Sequence, residues 1–235
     1  MKKFYFTMMA AVCCLALVGC GDDEPTHITY KSVDLGLSVK WATMNVGALK
    51  PEDHGQLFGW ADSTGSHKKF DNITISYRQD GNFETTIVNW NSVYFGGKSP
   101  LANISGTEYD IATYQWNANW RMPTLDEWNE LINRCTWSLE TNANGTVSYR
   151  VTGPNGNYII LPMTGIRATS ETESGRNTMG YYWTSTLLPQ SQQAAAHYES
   201  TVPCAAWCIR FTATNQPAPS TAIRCYGLAI RPVAR

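Results

Sequence analysis

Short extended runs separated by turn residues recur along this sequence. Residues 32–48 alternate apolar and polar side chains and are broken by Gly36 and Gly47, which is typical of strands and turns. Further along, Asn155 and Gly156 follow Pro154 between two extended runs, the pattern of a β-hairpin. Three later stretches also fit strands: YYWTST, AAWCIRF and YGLAIRPV. The chain is therefore expected to contain short strands joined by turns.

Two helices are expected in the middle of the chain. The first covers about residues 108–116. The second begins with a capping box, because Thr124 can accept a hydrogen bond from the backbone of Glu127 while the Glu127 carboxylate reaches back. Its apolar stripe, which predicts a face packed in the core, consists of Leu125, Trp128, Leu131 and Ile132. Residues 54–105 are rich in Gly, Asn, Asp and Ser and predict long loops held by aromatic anchors.

The N-terminus resembles a secretory signal. Two lysines precede an apolar run, residues 4–19, that is too short for an ordinary membrane-spanning helix. The run ends in LVGC, which is similar to the bacterial lipoprotein box. Residues 1–19 are therefore predicted to be removed, and Cys20 is predicted to become the lipidated N-terminus. A plain signal peptide in which Cys20 is incidental is the alternative.

Residues 20–28 are predicted to form an acidic linker. The stretch GDDE resembles the signal that sends some Gram-negative lipoproteins to the outer face of the outer membrane, although a solvated linker looks the same. We therefore expect a lipid-anchored protein of the outer membrane, exposed at the cell surface. Residues 29–235 suit one domain with a single core. The net charge is -1 and no basic block occurs, which argues against a nucleic-acid partner.

Four segments together resemble a known family: VDLGLSVKWATMNVGA, WRMPTLDEWNELINRCTW, YYWTST and RCYGLAIRPV. In this order they are similar to bacterial surface lipoproteins with a C-type-lectin-like fold, related to the formylglycine-generating enzymes. The resemblance implies an α+β fold, with two helices beside a small twisted antiparallel sheet. It also implies long irregular loops on one face, which form the ligand surface with the last strands. The family often has Cys where this chain has Met44, so a bridge from that position to Cys135 cannot form.

Residues 203–227 hold three of the seven cysteines and no Lys, Asp or Glu. A calcium-dependent sugar site needs six to eight oxygen ligands, and no Asp or Glu follows Glu199. Cys204 and Cys208 favour another interpretation, a copper oxidase of the formylglycine-generating type, because thiolates bind copper(I). That family's cysteine pair is one residue further apart, however, and its Gly-Gly-Ser-type segments are missing here.

Disulfide bonding is a third interpretation of the cysteines. Alternation along AAWCIRF separates two faces of a strand. The inward residues are predicted to be Trp207, Ile209 and Phe211, and the outward residues Cys208, Arg210 and Thr212. If this strand pairs with IRCYGLAI, Cys208 and Cys225 can lie opposite each other. Free thiols are equally compatible with the sequence.

The composition of residues 203–227 fits a fourth interpretation. Relatives of the resembled family include the variable proteins of diversity-generating retroelements, in which a reverse transcriptase rewrites codons at adenines. An AAC codon changed in this way gives residues such as Cys, Ala, Arg, Thr, Pro, Ser, Ile and Asn, but not Lys, Glu, Gln, Met or Trp. Only Trp207 and Gln216 fall outside the accessible set. A non-diversified adhesin or glycan-binding module of the same fold is the alternative.

We therefore predict a surface lipoprotein that binds an external protein, glycan or phage, without catalysis, metal or cofactor. A variable region is expected at about residues 198–227. The predicted ligand-binding residues are Cys204, Ala205, Cys208, Arg210, Thr212, Thr214, Asn215, Pro217, Pro219, Ser220, Thr221, Ile223 and Cys225.

Overall fold

The computed structural model of the chain describes residues 29–65, 73–77, 83–87, 100–168, 172–193, 195–196, 198–199 and 203–235. The predicted signal peptide, the lipidation site Cys20 and the linker to residue 28 lie outside these residues. Within the described part of the chain, no helix is both long enough and apolar enough to cross a membrane.

The described residues form three helices and fifteen strands. The helices are α1 (Ile111–Gln115), α2 (Leu125–Arg134) and α3 (Gln190–Gln193). The strands are β1 (Ser32–Val33), β2 (Trp41–Ala42), β3 (Ile73–Tyr77), β4 (Phe83–Ile87), β5 (Trp120–Arg121), β6 (Thr136–Thr141), β7 (Val147–Thr152), β8 (Tyr158–Pro162), β9 (Thr164–Ile166), β10 (Ser174–Arg176), β11 (Met179–Leu187), β12 (Tyr198–Glu199), β13 (Ala205–Thr212), β14 (Ala218–Ile223) and β15 (Val233–Ala234).

These strands build several small sheets in place of one. Four sheets are antiparallel, with the orders β1-β2-β15-β5, β6-β7-β8, β9-β10 and β11-β13-β14. In the fifth sheet, β3 and β4 pair antiparallel and β12 runs parallel to β4. The predicted loop region therefore contains two paired strands.

The predicted α+β class, with two helices beside one small antiparallel sheet as in a C-type-lectin-like fold, is wrong. Strands predominate among the described residues, and the three helices have only 5, 10 and 4 residues. The physical reason is that the apolar side chains lie on many short strands separated by turns. Several small sheets therefore form, and each buries part of the apolar surface. Only α2 is long enough to present a full apolar face.

Helix α2 follows its sequence signals closely. Thr124 is the N-cap, and both hydrogen bonds of the capping box with Glu127 are present. Trp128 and Leu131 are fully buried, so the predicted core stripe is confirmed. The indole of Trp128 lies 4.8 Å from the Trp41 ring, centroid to centroid, and 5.6 Å from the ring of Tyr182. The helix thereby joins the N-terminal sheet to strand β11.

The sheet β11-β13-β14 lies between two hydrophobic clusters. We call the first core A; its large members include Phe58, Trp60, Trp116, Trp120, Trp183 and Leu228. We call the second core B; its large members include Trp41, Trp128, Tyr149, Tyr182, Ile209 and Phe211. Successive residues of a strand point to opposite faces, so Cys208 enters core A while Ile209 enters core B. A sheet covered on both faces forms the centre of the molecule.

Arg231 connects elements on both sides of this sheet. Its fully buried guanidinium donates to Asn45 Oδ1 at 2.8 Å, to the Ala42 carbonyl at 2.9 Å and to the Ile160 carbonyl at 2.7 Å. Burial lowers the pKa of Arg231 to about 10, so the group stays charged at neutral pH. The arginine near the C-terminus is therefore part of the framework.

Candidate ligand-binding surface

Strand β13 forms a hairpin with β14, which sequence analysis did not predict. Arg210 pairs with Ala218 and Cys208 pairs with Ser220, so β14 occupies a segment that contains Pro219 and little apolar alternation. Prolines ordinarily argue against a strand because they donate no backbone hydrogen bond. The sequence signal for β14 is correspondingly weak.

The register explains how the prolines fit. The Arg224 amide donates to the Cys204 carbonyl at 2.9 Å, which identifies the even-numbered residues of β14 as those bonded to β13. The backbone of Pro219 then faces away from β13, where an N–H is not needed. Among the described residues β14 is the end strand of its sheet. Prolines on the outer edge remove donors that another strand would use, which protects the edge from non-specific pairing.

Burial divides the predicted ligand-binding residues into two groups. Those exposed or partly exposed are Arg210, Thr212, Thr214, Asn215, Pro219, Ser220 and Thr221. Those buried are Cys204, Ala205, Cys208, Pro217, Ile223 and Cys225. We call residues 210 and 212–221 the hairpin tip, and residues 204–209 and 222–225 the hairpin base. The structure thus brings half of the predicted surface together at the tip and places the other half inside.

The prediction that Cys208 lies on an outward face is wrong. Cys208 is 0% exposed and belongs to core A, opposite Trp183 of β11. Trp207, predicted to be fixed in the core, is only partly buried. Alternation along β13 is present, but core A covers the face that the sequence pattern assigns to solvent. The face becomes solvent-exposed only at Arg210.

The turn of the hairpin tip is fixed by local hydrogen bonds. The Thr212 hydroxyl accepts from the Asn215 amide at 2.9 Å, and the Thr212 amide donates to the Asn215 carbonyl at 3.1 Å. The Tyr149 hydroxyl donates to the Thr212 carbonyl at 3.0 Å and ties the turn to core B. Thr212 is therefore a turn-forming residue, while the exposed side chains of Thr214 and Asn215 are available to a ligand.

Arg210 is the one charged residue between positions 204 and 223 of the sequence. Its guanidinium carbon lies 5.7 Å from the centroid of the Tyr181 ring, on the neighbouring strand β11. Such a cation–π contact restrains an exposed side chain and contributes about 0.5–1 kcal/mol. Tyr181 is partly buried and packs against core A. No sequence pattern of the tail could have placed it beside Arg210, because the contact depends on strand pairing.

Cys204 and Cys208 do not form a shared metal site. They are four residues apart along one extended strand, which separates them by about 13 Å at about 3.3 Å per residue. Burial raises the pKa of the Cys204 thiol to about 11 and that of Cys208 to about 12, so both are protonated at neutral pH. The Cys204 thiol donates to Gln193 Oε1 at 3.0 Å. This geometry removes the basis for the copper-oxidase interpretation.

The predicted opposition of Cys208 and Cys225 is also wrong. Cys208 lies opposite Ser220, and Cys225 lies beyond the end of β14. The four described cysteines are free: Cys135, Cys204, Cys208 and Cys225. Over the described ranges, no cluster of three or more His, Cys, Asp or Glu side chains is arranged to hold a metal ion.

Comparison with known proteins adds no relative: the chain matches no family model, no curated protein and no solved structure.

Proposed function

We propose that this protein is a surface-displayed lipoprotein that binds an external ligand through the hairpin tip. The observation that carries the proposal is the division of one hairpin into a largely buried base between two cores and a tip whose side chains, apart from the buried Pro217, are exposed or partly exposed. A turn held by its own hydrogen bonds presents these side chains in a fixed arrangement. Binding then costs little conformational entropy.

The same division lets the ligand contacts change without loss of the fold. Substitutions at exposed positions usually alter stability by less than about 0.5 kcal/mol, whereas a hot-spot contact with a partner contributes about 2 kcal/mol or more. The tip resembles other recognition surfaces in its content of hydroxyl and amide side chains around one arginine and one tyrosine. An external protein, glycan or phage is the proposed class of partner.

Diversification by a retroelement remains part of the proposal, restricted to the tip. Every tip residue except Gln216 is reachable from an AAC codon by changes at adenine. The cysteines of the base are also reachable, but they are buried and pack against the cores. Variation at those positions would disturb packing, so the codons that vary should be those of residues 210 and 212–221.

The DNA beside the gene tests diversification. We expect a near-copy of the last hundred or so bases that differs only where the copy has adenine, next to a reverse transcriptase gene. The differences should concentrate in the codons of the hairpin tip. A genome without such a copy would leave a non-diversified adhesin or glycan-binding module as the function.

Ligand binding is tested with the purified mature chain on a bacteriophage panel, a glycan array and a surface-protein array. A tip variant combines Arg210→Ser, Thr214→Ala and Asn215→Ala. Its matched control is Arg150→Ser, which removes another surface arginine that lies over a tyrosine, 3.7 Å from the Tyr158 centroid. We expect any ligand of the wild type to lose at least about tenfold in affinity in the tip variant and to bind the control normally. Equal binding to both variants would refute the proposal.

The cellular location is proposed from the sequence signals alone. Acylation at Cys20 would tether the domain by the short linker that ends at residue 28. Metabolic labelling with a fatty-acid analogue, in wild type and in Cys20→Ala, tests the anchor. Protease treatment of intact cells tests exposure: the labelled wild type should be cleaved from outside the cell.

A further inference from the structure

Arg167 is a buried arginine that the hairpin surface does not use. It follows strand β9 and is 4% exposed. Its backbone pairs with Gly227, because the Arg167 amide donates to the Gly227 carbonyl at 3.0 Å and the Gly227 amide donates back at 2.9 Å. The side chain therefore starts from a fixed point of the backbone, next to the segment that follows β14.

The guanidinium of Arg167 packs on Gly227. A Cβ atom at position 227 would lie 2.8 Å from one terminal nitrogen of the guanidinium and 2.9 Å from both Cζ and Nε. Real Cβ atoms are not found so close to other heavy atoms, so glycine is required for the guanidinium to occupy this space. The glycine of the YGL sequence is thereby explained by close approach of a charged group.

This guanidinium has no acceptor in the part of the chain that the structure describes. Its Nε is buried without a hydrogen-bond partner. None of the ion pairs formed by described residues includes Arg167; they involve Arg121, Arg134, Arg150 and Arg176. Arg231, by contrast, is fully buried and has three oxygen acceptors. A buried donor without an acceptor is unfavourable, so the Arg167 Nε lowers the stability of the folded protein.

A second arginine and a thiol lie near Arg167. Burial raises the pKa of the Cys225 thiol to about 12, while Arg224 and Arg167 both act to lower it, so both guanidiniums lie close to this thiol. The sequence after Glu199 contains no Asp or Glu, so residues 200–235 supply no side-chain carboxylate. The thiol stays protonated at neutral pH and adds no negative charge beside Arg167.

We propose that Arg167, seated on Gly227, binds an oxyanion, either an inorganic phosphate-type ion or the carboxylate of a small acid. A planar guanidinium donates two parallel hydrogen bonds to the two oxygens of such a group, and its Nε edge lacks an acceptor here. An anion would supply acceptors and a counter-charge that the described residues do not provide. The site is separate from the hairpin tip, and it does not depend on the tip binding a ligand.

The first test is thermal unfolding of the wild-type mature protein at pH 7. Phosphate and acetate are titrated separately, each against sodium chloride at equal ionic strength. We expect the Tm to rise with one of these oxyanions and to saturate, since a ligand that binds only the folded state stabilises it by mass action. The oxyanion that raises the Tm at the lower concentration identifies the anion class. Identical Tm values in phosphate, acetate and chloride would overturn the proposal.

The second test removes the charge. Arg167→Met should have a higher Tm than the wild type in chloride, because it eliminates an uncompensated buried charge, and it should not respond to the oxyanion. Arg167→Lys keeps the charge but loses the donor of two parallel hydrogen bonds. At least about tenfold more oxyanion should therefore be needed for the same rise in Tm. The control Arg134→Gln changes an exposed arginine of α2 and should respond as the wild type does.

Each outcome of the second test supports or refutes the Arg167 site. A full anion response in Arg167→Met would place the binding elsewhere and refute the site. If Arg167→Met does not fold, Arg167→Lys decides, since a full response in that variant refutes the two-pronged site and a lost response supports it.

Discussion

The base and the tip of the β13–β14 hairpin differ in both composition and environment. In the base, Cys208 and Ile209 are both 0% exposed because cores A and B cover the two faces of the sheet. In the tip, Arg210 and residues 213–216 are exposed. Ala, Cys, Ile and Trp make up nine of the ten base residues, whereas Thr, Ser, Asn, Gln and Pro predominate in the tip. The apolar part therefore carries stability, and the polar part is free to make contacts.

The difference shows how one strand can serve two purposes. The buried half of β13 is fixed by packing, so changes of volume or charge there are felt throughout the sheet. The exposed half continues from this packed half and is restrained by the Thr212 turn and by the Tyr149 hydroxyl. Substitutions at the two halves should therefore have effects on the free energy of unfolding that differ several-fold.

An arginine at the buried position 208 should have the largest effect on the free energy of unfolding. Cys208→Arg places a charge in core A opposite Trp183, at a position that is fully buried. We expect a loss of more than about 4 kcal/mol in the free energy of unfolding, measured by urea denaturation. The matched variant Arg210→Cys should cost no more than about 1 kcal/mol, because it loses only the exposed cation–π contact with Tyr181. Both substitutions are reachable from an AAC codon, so equal tolerance would mean that the base can vary like the tip.

Phe211 connects the tip to core B, and its truncation should rank second. Its ring is fully buried and lies 5.4 Å from the Tyr149 ring and 5.7 Å from the Tyr182 ring, centroid to centroid. We expect Phe211→Ala to cost about 3–5 kcal/mol in urea unfolding, because it loses apolar burial and leaves a cavity. Phe211→Leu keeps most of the volume and should cost less than about 1.5 kcal/mol. A cost below about 1 kcal/mol for the alanine variant would contradict the assignment of Phe211 to the core.

The third prediction concerns alkaline pH, which should act on the base and not on the tip. Burial raises the pKa of Cys208 from 9.0 to about 12, so between these values the unfolded chain loses a proton that the folded chain keeps. Stability from this thiol is present below pH 9 and is lost as the pH rises towards 12. At pH 10 the loss should be about 1 kcal/mol for this thiol.

Cys208→Ala supplies the control for the pH prediction. Urea denaturation of both proteins between pH 7.5 and 10 should show a shallower decline of stability in the variant. Arg210→Gln, in the tip, should follow the wild-type curve. Parallel curves for the wild type and Cys208→Ala would show that this thiol is not held protonated by the fold.

Local signals in the sequence predicted the local structure well. The capping box and apolar stripe of α2 are confirmed, and the turn around Gly156 joins β7 to β8 as expected. The first helix is shorter than predicted, spanning Ile111–Gln115. Of the predicted strand YGLAIRPV, only Val233 belongs to a regular strand, while Gly227, Leu228 and Ala229 form single bridges. Sheet number and class depend on pairing between distant segments, which no local pattern specifies.

For the candidate site, the sequence predicted the segment but not which of its residues are buried. Alternation along β13 correctly placed Ile209 and Phe211 in a core, and it wrongly placed Cys208 in solvent. Alternation assumes one covered face, whereas this sheet is covered on both. Arg167, whose Nε has no acceptor among the described residues, was also missed, because its environment is made by Gly227, 60 positions away in the chain. Only the folded structure brings that pair together.

The smallest effect is expected at the tip itself. Thr214→Ala and Asn215→Ala remove exposed side chains. The Thr214 hydroxyl makes one long hydrogen bond, 3.3 Å from the Thr212 hydroxyl, and Asn215 contributes to the turn through its backbone. Each should change the free energy of unfolding by less than about 0.5 kcal/mol. Thr212→Ala, two residues earlier, deletes the hydroxyl that accepts from the Asn215 amide and should cost about 1 kcal/mol. Urea denaturation of the three single variants measures this order. A larger loss for Thr214→Ala than for Thr212→Ala would mean that the turn does not depend on the Thr212 hydroxyl, and the tip would then lack the internal support that its role in recognition requires.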